Sequence, residues 1–182
     1  MSGFTKAAIK NSVIKLLNDR PLGKITVKDV VEDCGVNRNS FYYHFQDLPA
    51  VIEEIVTDAA NAIIAQYPAI DSIEECLGAA VGFAVKNRRA ALHIYHSANR
   101  DLFERSLFNV CETVVRVYLD RVFGEEPISE RDKEILIRFY KCECFGQVID
   151  WMNGGMKEEA LDRFHRLYEL RKEMSARLAN LE

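Results

Sequence analysis

Gly35 divides residues 26–45 into two short helical patterns, and this division constrains the chain more than any other feature. Thr26 can cap the first pattern, and at about 100° per residue Val27, Val30, Val31 and Cys34 fall within one arc. Lys28, Asp29, Glu32 and Asp33 all fall opposite. Glycine directly after the last apolar position suits a left-handed helix terminus. Val36 and Asn37 then complete a turn, and Asn37 can cap a second helix over 38–45.

The rest of the chain keeps the same helical period. Residues 5–18 place Ala8, Ile9, Val13, Leu16 and Leu17 on one stripe, and Pro21 and Gly23 break it. A further helix is expected from Leu48, with Asp47 as cap and Pro49 in its first turn, carrying Val51, Ile52, Ile55, Val56, Ala59, Ile63 and Ile64 until Pro68. Helical patterns follow at 72–87, 89–97, 101–123, 129–152 and 157–181, interrupted by Gly124, Pro127 and Gly154-Gly155. There is no strand-type alternation of useful length, internal repeat or low-complexity tract. The expected fold class is all-α, with about nine helices. The expected division is an N-terminal three-helix domain at 1–47 and a helical domain at 48–182.

Charge is distributed unevenly. The net charge of −4 argues against a polyanionic partner, yet residues 1–50 hold seven Lys or Arg against five acids, while 51–182 hold seventeen against twenty-three. The basic side is the N-terminal one, where the hinged pair of helices lies. Five cysteines, at 34, 76, 111, 142 and 144, are odd in number and scattered through apolar stretches. With no secretory segment ahead of them, they fit thiols in a reducing cytoplasm. The longest smooth apolar run, 77–85, is far too short for a bilayer, so no membrane partner is expected.

Two helices around a glycine-containing turn make the layout of a DNA-reading helix-turn-helix, which many helical hairpins share. The surface of the helix after Gly35 separates the two readings. Phe41 and Phe45 lie together and can pack with Val36, which leaves Asn39 and Tyr43 outward, Arg38 and Tyr42 on one flank, and Ser40 and His44 on the other. That surface offers long donors, an amide, a hydroxyl, two phenols and an imidazole, without one carboxylate. Arg can bond guanine bidentately, Asn can bond adenine, and Tyr and His reach the backbone. An aromatic helix buried in a bundle explains Phe41 and Phe45. It leaves polar-tipped Tyr42, Tyr43 and His44 in need of partners on both flanks.

Residues 25–45 also resemble the N-terminal domain of TetR-type regulators, above all in Gly35-Val36 followed by Phe41-Tyr42-Tyr43-His44-Phe45. The N-terminal domain so resembled makes up about a quarter of the chain, and the length and all-helical remainder agree with the family. The resemblance implies a dimeric, usually repressing, DNA-binding protein whose variable C-terminal domain holds a small-molecule pocket. Lys28, Arg38, Asn39, Ser40 and Tyr42 match the family's base-facing positions. Thr26, Tyr43 and His44 match its phosphate-contacting ones. Val31 stands where a small alanine is common, which bears on the angle between the two helices. Leu48 stands where a phosphate-binding lysine often begins the fourth helix, which bears on one backbone contact. The C-terminal part resembles a branch of the family that includes regulators of dihydroxyacetone kinase operons, without carrying that ligand over.

Other constellations have ordinary readings. His93 and His96 stand three apart on an expected helix, a spacing that can serve a metal, but no Glu-x-x-His or His-Glu-x-x-His pattern accompanies them. Cys142 and Cys144, two apart on a helix, point away from each other. No cofactor and no resident metal are expected. A small helical enzyme or metal protein built on His93, His96 and nearby acids is the rival from another class, and no nucleophile–base pair supports it.

His93, Tyr95 and His96 are the candidates for an effector pocket. Phe83, Phe103, Phe108, Phe139, Tyr140 and Trp151 fit either a cavity wall or plain core. The last two helices carry apolar residues on more than one side: Ile135, Phe139, Phe145, Val148, Ile149 and Trp151, then Leu161, Phe164, Leu167, Leu170, Met174, Leu178 and Leu181. A terminal helix packed within its own subunit usually shows one stripe, so these two are expected to meet their copies in a homodimer. The expected partners are therefore a double-stranded DNA operator, a second copy of the chain and a small-molecule effector. A protein effector acting on the same DNA-binding module is the alternative.

Overall fold

The computed structural model describes residues 2–66, 81–82, 84–124, 128–157 and 159–179. Among them the chain is all-α: α1 (Ser2–Asp19), α2 (Val27–Cys34), α3 (Arg38–His44), α4 (Leu48–Gln66), α5 (Arg88–Tyr95), α6 (Arg100–Val122), α7 (Glu130–Asn153) and α8 (Ala160–Ala179). A 3-10 turn, Leu22–Lys24, follows α1 where Pro21 and Gly23 interrupt the stripe. The helix expected at 72–87 lies largely outside the described residues, as do Pro68, Cys76, Phe83 and Pro127. Residues 81–82 and 84–86 are helical.

The chain divides into two compact units. The first comprises Met1–Ala59 and Lys86–Val110, so α5 and the start of α6 belong with the N-terminal helices. Ile9, Val13 and Leu17 of α1, Val30 and Val31 of α2, Phe41 and Phe45, and Val51 and Ile52 of α4 are all buried, and α1 packs against α2 and α3. Ser12, buried with them, donates its hydroxyl proton to the Val30 carbonyl at 3.3 Å, so its polar group does not go unsatisfied. Lys6 and Lys10 tie α1 to α4 through Glu54, and Lys10 also reaches Asp58.

The C-terminal end of α1 is closed by α5. The Asn18 side-chain oxygen accepts from the Ala90 N–H at 3.3 Å, and His93 Nδ1 lies 2.7 Å from the Leu17 carbonyl oxygen. The last carbonyls of a helix lack intrahelical donors, and a side chain from another element supplies one here.

The second unit comprises Ala60–Val85 and Cys111–Glu182. Its buried residues include Val115 and Leu119 of α6, Ile137, Cys144, Trp151 and Met152 of α7, and Met156 of the turn that follows. That turn reverses the chain through two left-handed residues, Gly155 at φ 77° and Met156 at φ 55°. A non-glycine residue there is strained by about 1 kcal/mol, which burial of the Met156 side chain offsets. Trp151 Nε1 donates to the Lys157 carbonyl at 2.8 Å and holds the turn closed. Glu112 joins α6 to α7 by accepting from Lys141 at 2.6 Å and from Arg116, which also bonds Glu134 of α7 at 2.7 Å.

Candidate nucleic-acid interface

Thr26 begins α2 with a reciprocal capping box. Its hydroxyl oxygen accepts from the Asp29 N–H at 3.2 Å, and its own N–H donates to the Asp29 carboxylate at 2.8 Å. The Thr26 hydroxyl proton is also given to that carboxylate, at 2.7 Å. Hydrogen bonds from Thr26, then the nearby Arg20 guanidinium, hold the Asp29 carboxyl below its ordinary pKa. The cap consumes the N–H groups of Thr26 and Asp29. Those of Val27 and Lys28 stand at a helix start, which leaves them without intrahelical acceptors.

Gly35 ends α2 in the left-handed region at φ 69° and ψ 22°. Any L side chain there is disfavoured by about 1 kcal/mol, so glycine sets the direction in which α3 leaves. Asn37 caps α3 by accepting from the Ser40 N–H at 2.8 Å.

Phe41 is fully buried and Phe45 nearly so, and their ring centroids lie 6.1 Å apart. Burying one such ring contributes roughly 1.5 to 3 kcal/mol, enough to fix the rotation of a seven-residue helix about its axis. Fixing that rotation turns Arg38, Asn39, Tyr42 and Tyr43 outward, with Tyr43 81% exposed. Ser40 and His44 are half-buried on the flank. Arg38 has no ion-pair partner among the described residues, whereas the neighbouring acids are engaged: Asp29 with Arg20, Asp33 with Lys15, and Asp47 as the α4 cap. Lys28, exposed on α2, makes a loose i,i+4 pair with Glu32 at 3.7 Å, a surface contact that adds little stability.

Thr26, Lys28, Arg38, Asn39, Ser40, Tyr42, Tyr43 and His44 thus all lie on α2, its cap or α3. Of the two departures from the family pattern, Val31 is buried and Leu48 is half-buried.

His93, Tyr95 and His96 are placed differently. His93 is bonded to α1, Tyr95 is buried with its hydroxyl accepting from Arg100 at 2.6 Å, and His96 is exposed with its ring edge-on to Tyr95. The first unit does contain a cavity of about 280 Å³, lined by residues of α4 and α6 and by Ile94 and Asn99, among them Ile52, Val56, Phe103 and Arg105. None of the three candidates lines it.

Sequence reading missed Arg20, whose guanidinium reaches Asp29 at 3.2 Å and braces the α2 cap. Thr26 was legible as a cap, but its reciprocal partner Asp29 was not read, and no local pattern pairs position 20 with position 29.

Comparison with known proteins places this geometry. A family model described as "Transcriptional regulator C-terminal region" matches residues 71–173, and one described as "Bacterial regulatory proteins, tetR family" matches residues 13–55. The chain is 34% identical over 63 residues to the uncharacterized HTH-type transcriptional regulator YxbF of Bacillus subtilis, a match covering 35% of this chain and 17% of that protein. It is 28% identical over 102 residues to the HTH-type transcriptional repressor KstR2 of Mycolicibacterium smegmatis, covering 52% of this chain and 50% of that protein. The chain therefore spans half or less of the length of these curated relatives. Among solved structures, the dihydroxyacetone kinase operon activator DhaS superposes with a TM-score of 0.68 over 93% of this chain and 97% of that one. At 15% identity this likeness is one of fold. The C-terminal model alone spans more than half of the sequence and the N-terminal model takes in the capped α2–Gly35–α3 segment, so the chain belongs to the TetR family of bacterial regulatory proteins.

Proposed function

We propose that this protein is a DNA-binding transcriptional regulator that reads an inverted-repeat operator as a homodimer and represses from it. The observation that carries the reading is the division of α3, with Phe41 and Phe45 buried and Arg38, Asn39, Tyr42 and Tyr43 exposed on a surface without carboxylates. Arg38, Asn39, Ser40, Tyr42 and Lys28 face bases in this reading, and Thr26, Tyr43 and His44 face phosphates. Repression follows the curated relative KstR2, whose name states it.

The second copy docks on α7 and α8. Ile135 and Phe139 of α7, and Leu170 and Met174 of α8, form exposed apolar pairs four residues apart. Arg171 bonds Glu143 at 3.3 Å across a short connection, so the two helices are antiparallel neighbours, with Phe139 and Met174 at one height. Exposed apolar surface of this kind marks an association face.

An effector, a metabolite or alternatively a protein, alters the spacing of the two reading heads and so lowers affinity. His93 and Tyr95 serve in this reading to hold α5 against α1 and α6, and His96 is the member of the trio accessible to a ligand. Selection of bound duplexes from a random pool tests the whole reading. An enriched inverted repeat supports it, and failure to enrich any sequence overturns it.

A further inference from the structure

Lys86, the last helical residue before the Asn87 cap, and Arg88 and Arg89, in the first turn of α5, are basic and exposed, and that first turn contains no acid. Arg88 and Arg89 face the positive end of the α5 dipole, so their placement opposes that helix. Packing does not require it either, because α5 buries Ala90, Ile94 and Tyr95. Arg88 has another interaction within the chain, whereas neither Lys86 nor Arg89 has an ion-pair partner among the described residues.

Two bonds fix the position of the cluster. The Ala90 N–H donates to Asn18 at 3.3 Å and His93 meets the Leu17 carbonyl at 2.7 Å, so the start of α5 lies against the last turn of α1. From that turn the chain passes directly into exposed Lys24 and then to Thr26 at the start of α2, with Arg20 bracing Asp29. Asp19, at the end of α1, is exposed, and Asp29 is already paired with Arg20.

We propose that Lys86 and Arg89, exposed beside the end of α1 that leads to α2, hold the phosphate backbone of duplex DNA beyond the base pairs that α3 reads. The proposal rests on the assignment of α2 and α3 as the DNA-reading pair. A duplex fits this surface because it is a rigid polyanion, with a charge every ~1.7 Å of axis, whose backbone continues past any sequence a recognition helix contacts.

The test uses the full-length protein and the duplex it enriches from a random pool. That duplex is prepared ending at its last specified base pair, or extended at each end by roughly one helical turn. The wild-type protein should bind the extended duplex about tenfold more tightly, with a steeper dependence on salt. Lys86→Gln with Arg89→Gln should bind both duplexes alike. Its slope of log affinity against log salt on the extended duplex should fall by about 3 to 4 for a dimer, with base preference and melting temperature unchanged. The charge-keeping pair Lys86→Arg with Arg89→Lys should retain the gain. A wild-type protein indifferent to the extension, or a glutamine variant that keeps the gain, overturns the proposal and leaves the assignment of α2 and α3 standing. Enrichment of no duplex at all overturns both.

Discussion

His93 Nδ1 stands 2.7 Å from the backbone carbonyl oxygen of Leu17, across 76 positions of sequence. The bond supplies a donor to the last turn of α1 and fastens α5 to the helix that carries Ile9, Val13 and Leu17 into the first core. His93→Ala should therefore leave a half-buried carbonyl unsatisfied and lower stability by about 1 to 2 kcal/mol. Urea denaturation measures this, and His93→Gln, which can still donate, should recover part of it. Equal midpoints for wild type and alanine variant would mean that the contact holds nothing.

Phe41 and Tyr43 are two residues apart on α3 and should behave oppositely. Phe41→Ala removes a ring with no exposure from the first core and should destabilise by about 3 to 5 kcal/mol, visible as a large drop in melting temperature. Tyr43→Ala, at a position 81% exposed, should melt within about 0.5 kcal/mol of wild type while weakening DNA binding. A stability loss at Tyr43 as large as that at Phe41 would contradict the rotation of α3 described above.

Arg38 begins α3 exposed, and its guanidinium has the fork geometry to bond two acceptors of guanine. Arg38→Ala should leave folding unchanged and relax preference at one base pair per half-site by about 1 to 3 kcal/mol. Affinities for the selected duplex and each single-base variant check this. Uniform weakening across all sequences, with a smaller salt slope, would place Arg38 on phosphate instead.

Phe139 is 60% exposed and Met174 61% exposed on the single chain. Phe139→Glu should fold normally and shift the protein toward monomer by tenfold or more in dissociation constant, about 1.4 kcal/mol. Sedimentation at several concentrations reads the shift. A variant that dimerises like wild type would move the interface elsewhere.

Glu112 connects acid stability to the second unit. The hydrogen bond from Lys141, then that from Arg116, holds its carboxyl below the ordinary value of 4.5. A depressed carboxylate contributes stability that is fully present above its unfolded pKa and disappears as pH falls through the lower folded one. Glu112→Gln should therefore be less stable than wild type at neutral pH, by roughly 0.5 to 1 kcal/mol. The difference should vanish as pH falls below 4.5 and through the folded pKa, and thermal melts across that range test it. A gap independent of pH would assign the loss to packing.

Local signals determined most of the helical layout and the reading surface. Thr26 with Asp29, Gly35 and Asn37 fix where α2 starts, where it ends and where α3 starts, because each acts through bonds or backbone angles within four residues. The spacing of Phe41 and Phe45 fixed which side of α3 turns inward, and therefore which residues could meet DNA. Tertiary structure alone decided the partners of groups far apart in sequence. His93 and Tyr95 are pocket candidates by residue type alone, and only the arrival of Leu17 and Arg100 engages their polar atoms. The same holds for Arg20 on Asp29 and for Lys86 and Arg89 beside the end of α1. Periodicity reports the face a residue occupies on its own helix, whereas the partner across that face is set by how helices pack, which no local pattern encodes.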